Sequence, residues 1–137
     1  MPNYGDTNFV EQLISKLQFN EDGLIPAIAQ QFDSNEVLMM AWMNEQSIRE
    51  TVVTGRVCYY SRSRQKLWRK GESSGQTQTL KNFRIDCDAD TILILVDQIG
   101  VACHTGRRSC FYEELTENGI KIIEDVLINP DDLYSKP

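Results

Sequence analysis

The stretch Thr91-Ile92-Leu93-Ile94-Leu95-Val96 decides the fold. It is an almost unbroken apolar run with no polar alternation, the pattern of a β-strand covered on both faces. Such a strand belongs in the middle of a sheet, and the neighbouring segments supply the rest of it. Upstream, Leu80 to Cys87, Gln65 to Arg69 and Arg56 to Tyr60 are rich in β-formers, and Gly71-Glu72-Ser73-Ser74-Gly75 separates two of them as a loop. Leu24 to Phe32 and Val37 to Trp42 flank Asp33-Ser34-Asn35-Glu36, which predicts a hairpin. Phe9, Val10, Leu13, Ile14 and Leu17 recur at helical spacing after Asp6-Thr7, which can cap, and Asn20 to Gly23 stops that helix. Asn44 predicts the N-cap of a second helix running to about Thr54, with Gly55 at its end. After Asn118-Gly119 the apolar residues Ile120, Ile122, Ile123, Val126 and Leu127 fit a helix and a strand equally well. No repeat or linker divides the chain. The expected architecture is α+β: a β-dominated single domain over residues 1–137 with about two helices.

Length and composition agree with one ordinary core: 137 residues, 41% hydrophobic and 9% aromatic, without low-complexity runs. The net charge of -6 disfavours a protein that coats nucleic acid or an anionic membrane. The charge is unevenly spread. Arg56 to Arg84 holds eight Lys or Arg against one acid, Glu72, a local balance of +7 that leaves −13 for the remainder. Such a segment suits a small anionic ligand, and equally a solvated basic face. The amino terminus has no basic and apolar leader and no run approaches a membrane span, so a cytoplasmic protein is expected. In that reducing compartment Cys58, Cys87, Cys103 and Cys110 are core residues, metal ligands or catalysts rather than disulfides.

Asp86-Cys87-Asp88-Ala89-Asp90 sets three carboxylates at alternate positions. If extended, the acids share one face and Cys87 points the other way. The outer two would then stand roughly 13 Å apart, too far for one ion, so the segment bends or not all three bind directly. Oxygen ligands of this kind suit Mg²⁺ better than Zn²⁺, and an acidic turn without metal is the plain alternative. A calcium EF-hand is excluded, because Thr91 stands where that loop needs glycine and an apolar strand fills its remaining positions.

Cys103-His104-Thr105-Gly106-Arg107-Arg108-Ser109-Cys110 places two thiols and the only histidine in a polar loop. Cys58, in an apolar aromatic segment, is most simply core. Cys87, Cys103 and Cys110 remain; three thiolates hold zinc and leave a coordination position open, as in catalytic sites, where zinc makes hydroxide available near neutral pH. His104 is then the natural proton shuttle, against the plain reading of an incidental imidazole. Between Ser61 and Gly75, arginine forks, hydroxyls and glycines could hold phosphate, and Trp68 with Tyr59 or Tyr60 could stack on a base.

Leu38-Met39-Met40-Ala41-Trp42-Met43-Asn44, Tyr60-Ser61-Arg62-Ser63-Arg64, Leu67-Trp68-Arg69-Lys70-Gly71-Glu72, the Asp86–Asp90 cluster and Cys103 through Tyr112, preceded by Gly23-Leu24-Ile25-Pro26-Ala27-Ile28, together resemble the phosphoribosyl-AMP cyclohydrolases of histidine biosynthesis. The resemblance implies a hydrolase that opens the purine ring of 1-(5-phosphoribosyl)-AMP between N1 and C6, giving the formimino-AICAR ribonucleotide, the third step of that pathway. It implies a homodimer with zinc on Cys87, Cys103 and Cys110 drawn from both subunits, and magnesium on Asp86, Asp88 and Asp90. His104 would move protons during attack of zinc-activated water, and Arg62, Arg64, Trp68, Lys70, Glu72 and Ser74 would bind substrate. Zinc nucleobase deaminases work by related chemistry, but their His-x-Glu and Pro-Cys-x-x-Cys signatures are absent. Gln76 stands where many relatives carry His or Asn, so no proton-transfer role is carried to it. Many relatives continue into a pyrophosphohydrolase domain; a chain ending at Pro137 is expected to be monofunctional.

A rival from another class is a binding module with a closed structural zinc site, gripping single-stranded nucleic acid with Arg62 to Lys70. The net acidity and the lack of a clear fourth ligand count against it.

Overall fold

A computed structural model describes residues 7–133 of the chain. In chain order the elements are α1 (Thr7–Lys16), β1 (Ile25–Gln31), β2 (Val37–Met43), α2 (Glu45–Thr54), β3 (Cys58–Ser61), β4 (Lys66–Arg69), β5 (Gln78–Ile85), β6 (Ile92–Gln98), β7 (Glu113–Thr116), β8 (Gly119–Ile122) and the single turn α3 (Pro130–Leu133). The expected hairpin is β1–β2, in antiparallel register from Ile25↔Met43 to Gln30↔Val37. The expected second helix is α2. The Asn44 side chain accepts from the Ser47 N–H, the Ser47 hydroxyl accepts from the Asn44 N–H, and Gly55 ends the helix in the left-handed region at φ 76°. The expected cap residue Asp6 lies outside the described residues. The tail that fitted either helix or strand is the two-stranded β7–β8 hairpin followed by α3, so the described residues hold three helices, one of them a single turn.

The main sheet has the order β4-β3-β2-β1-β6-β5. β6 runs parallel to β1 on one side and antiparallel to β5 on the other. Its residues Ile92, Ile94, Leu95 and Val96 are all buried, which is why the run 91–96 carries no polar alternation. The sheet curls: a bridge between Arg56 and Thr79, with Val57 N–H donating to Gln78 O and Leu80 N–H to Gly55 O, ties β5 to the chain entering β3. The core fills the inside of the curl with Ile25, Leu38, Met43, Leu80, Ile92 and Ile94, joined by Ile48 and Val52 of α2 and by Val10. Each such side chain contributes roughly 1.5–3 kcal/mol by leaving water. Cys58 is buried here as expected, its backbone clasped by the Thr51 hydroxyl, and burial pushes its thiol up to about 12. Tyr59 also belongs to the core. It is therefore closed to ligand and instead packs its ring against Trp68 at 5.4 Å.

Candidate active site

Cys103 and Cys110 lie on the loop that follows β6. Two bonds close this loop on itself, Ala102 N–H to Arg108 O and Cys103 N–H to Arg107 O, and two tie it to β2, Cys110 N–H to Leu38 O and the Ser109 hydroxyl to Val37 O. They bring the two thiols together. Cys103 is buried and accepts from the Thr105 hydroxyl at 3.0 Å. Cys110 opens to solvent yet stands among enough protein that desolvation pushes its thiol up to about 12, with the hydrogen-bonded Cys103 thiol adding to the rise and the Lys70 ammonium opposing it. Lys70 is 7% exposed and donates to Gln76 O at 2.9 Å; desolvation pulls its pKa down, against the two thiols.

Cys87 is elsewhere. It sits on the turn from β5 to β6, at the opposite end of β6 from the thiol pair, and the seven residues of that strand span roughly 20 Å. Among the described residues, the one group of three or more Cys, His, Asp or Glu donors mutually within 4.8 Å is Asp86, Cys87 and Asp88, all exposed. The expectation that Cys87 points away from the acids is therefore corrected. The segment is not extended: Ala89 takes φ 59°, its N–H donates to Asp86 O at 3.0 Å, and Asp86 N–H donates to Thr91 O at 3.1 Å. In so tight a turn the two-residue alternation of a strand does not apply. A bend is one of the two alternatives that the strand-length arithmetic left open.

Asp86 is the organiser of this turn. One of its carboxylate oxygens accepts from the Asp90 and Thr91 N–H groups. Desolvation raises its pKa, but the donors from Asp90, Thr91 and Ala89 outweigh that and hold it below the usual carboxylate range. Asp90 is pushed up, first by its hydrogen bond to Asp86, then by desolvation and the charges of Asp86 and Asp88.

A groove of about 810 Å³ runs from β2 across β4 to the thiol loop. Its lining includes Arg64, Trp68, Lys70, Glu72 and Ser74, His104 and Cys110 of the thiol loop, and Met39 to Ala41 of β2. Five of the six expected substrate-binding residues thus share one cavity with the expected proton shuttle. Arg62 is not among its lining; its guanidinium lies over the Trp42 ring, 4.8 Å from the centroid. Trp68 is 37% exposed, backed by Tyr59, and presents the face that remains.

Two supporting residues carry no local signal in the sequence. Arg108 spreads its guanidinium over Glu36 Oε1, Gln31 Oε1, Gln98 O and Gly100 O. Gln31 and Gln98 are buried and bonded to each other's strand, and Gln98 is linked through Gln78 to the Tyr59 hydroxyl. Gln76 bonds the glycine-rich loop to the thiol loop. Their partners lie up to 77 residues away, so no window of sequence contains the pattern.

A basic groove lined by Trp68, Cys110 and His104, in a curled β-dominated domain, has the make-up of an enzyme site. The sequence model of the phosphoribosyl-AMP cyclohydrolase family matches residues 39–112, more than half of the chain. A phosphoribosyl-AMP cyclohydrolase of Paramagnetospirillum magneticum is 63% identical over 90% of this chain and 94% of its own. Those of Hydrogenovibrio crunogenus (59% identical, 96% of this chain, 90% of its own) and Halorhodospira halophila (63%, 89% and 86%) are similar to the same extent. The chain belongs to the phosphoribosyl-AMP cyclohydrolase family, enzymes of histidine biosynthesis.

Proposed function

We propose that the chain is a zinc-dependent hydrolase that opens the N1–C6 bond of the purine ring of 1-(5-phosphoribosyl)-AMP, acting in the cytoplasm as a homodimer. The observation that carries this reading is the groove itself, whose lining joins His104 and Cys110 with Arg64, Trp68 and Lys70. The Arg64 guanidinium and the Ser74 hydroxyl suit the phosphate-bearing arms, and the exposed Trp68 face suits the base. His104, exposed and lining the groove, would take a proton from the attacking water and return it to the ring nitrogen as the bond breaks.

The donor set fits zinc. Cys110, its thiol pushed up to about 12 beside Cys103, keeps its proton unless a divalent cation draws it off, and a soft ion is the one thiolates select. Zinc on Cys103 and Cys110 would supply a water acidic enough to react near neutral pH. One copy of the chain brings two thiols together there and holds Cys87 at the other end of β6, which supports Cys87 of a second copy as the third ligand. Exposed Leu115, Ile120, Ile122, Ile123 and Leu127 on and after the β7–β8 hairpin support a second copy, since so much open apolar surface is uncommon on a monomer. Asp86, Asp88 and Asp90 would hold magnesium on the same exposed turn, where Asp86 keeps one oxygen unused by the turn.

Ultraviolet absorbance on phosphoribosyl-AMP, read with zinc content, tests the reading. Zinc-loaded protein is expected to turn over, and Cys103→Ser to lose both zinc and turnover. A zinc-loaded wild type without turnover sinks the activity; a Cys103→Ser variant that keeps its zinc sinks the ligand assignment.

A further inference from the structure

We propose that Gln76 is a positioning residue for the reaction, a strap that fixes the distance between the two walls of the groove. The inference rests on the ring-opening activity above. The Lys70–Ser74 segment lines the groove, and so do His104 and Cys110 of the thiol loop; these are the two walls. Gln76 holds both ends. Its Nε2 donates to Ser74 O at 3.0 Å and its backbone N–H to the Ser74 hydroxyl at 3.2 Å. Its backbone carbonyl accepts from the Lys70 ammonium at 2.9 Å. Across the gap, its Oε1 accepts from the Val101 N–H at 3.1 Å, two residues before Cys103.

Gly100 is cut to receive this side chain. Its φ is +74°, and a Cβ there would lie 1.6 Å from Gln76 Oε1, so any other residue expels the amide. The thiol loop has its own anchors in Arg108, Ser109 and the Cys110 N–H. Loss of the strap therefore leaves the thiol pair folded and shifts the substrate wall relative to it. Misplacement of about 1 Å between reacting groups costs up to about 100-fold.

The test compares wild type, Gln76→Leu, Gly100→Ala and the double variant on phosphoribosyl-AMP, with rates expressed per zinc-loaded site. Gln76→Leu is expected to keep its zinc content and dimer size, and to lose about 10- to 100-fold in kcat with a smaller change in KM, because the bonds of its backbone to Lys70 and the Ser74 hydroxyl and the thiol loop's own anchors remain. Gly100→Ala is expected to do the same, and the two losses not to multiply, since both break one strap. A Gln76→Leu enzyme within about twofold of wild type per site overturns the proposal, as does a loss explained wholly by lower zinc content, or losses that multiply in the double variant. Absence of wild-type turnover overturns the proposal together with the activity on which it rests.

Discussion

Arg108→Lys keeps the charge and most of the stem but removes the fork. In the wild type four acceptors converge on one guanidinium: Glu36 Oε1 at 3.1 Å, Gln98 O at 3.3 Å, Gly100 O at 2.9 Å and Gln31 Oε1 at 2.9 Å. An ammonium reaches one or two of them. Bonds to a charged donor are worth about 1.5–3 kcal/mol each where nothing replaces them. Here the loss is softened, because Gln31 Oε1 keeps the Gln98 N–H and Gly100 O keeps Gln98 Nε2. A net cost of about 2–3 kcal/mol follows, a fall of roughly 10 °C in Tm for a chain of this size. Urea and thermal unfolding of chelator-treated protein, followed by circular dichroism, would measure it apart from any metal. An unchanged urea slope with a lower midpoint is the expected form. A loss below about 0.5 kcal/mol would refute the view that this fork fastens the thiol loop to β1 and β6.

Three further outcomes follow from local geometry. Asn44→Ala removes half of a reciprocal cap and should cost about 1 kcal/mol in thermal unfolding. Glu50 is held below its usual 4.5, first by its hydrogen bonds with Arg69, so its contribution is present above that pH and is lost as pH falls through the folded value. Glu50→Gln should therefore flatten the decline of stability between about pH 6 and pH 3 by about 0.5 kcal/mol, measured by urea titration across that range. Cys58→Ala should cost about 1 kcal/mol and leave zinc content and turnover per folded molecule unchanged, because Cys58 is a core residue on β3.

What could be read from the residues was local. The β1–β2 hairpin, the Asn44-to-Gly55 helix and the buried strand at 91–96 each depend on neighbours a few positions away, where periodicity and capping operate. The Asp86–Asp90 turn shows the limit of such reading. Its residue types pointed to chemistry, but one left-handed Ala89 undid the face assignment that a straight strand would have had. The tail from Gly119 was ambiguous for a different reason: β8 is exposed along its length, so no buried face imposed a period on it. The residue types of the Ser61–Gly75 segment and of the Cys103–Cys110 loop were legible, but not that they share one groove. Its lining runs from Met39 to Cys110, and Gln76 and Arg108 act through partners placed by sheet topology alone.

The central claim is that one chain cannot complete the metal site, since Cys87 and the Cys103–Cys110 pair stand at opposite ends of β6. Subunit mixing tests it directly. Cys87→Ser and Cys103→Ser should each be inactive alone. Refolded together, they form mixed dimers in which one of two sites draws only wild-type ligands, so turnover should recover to about a quarter of wild type. Turnover of the mixture no greater than that of the separate variants, or a Cys87→Ser protein that binds zinc and turns over by itself, would contradict the account.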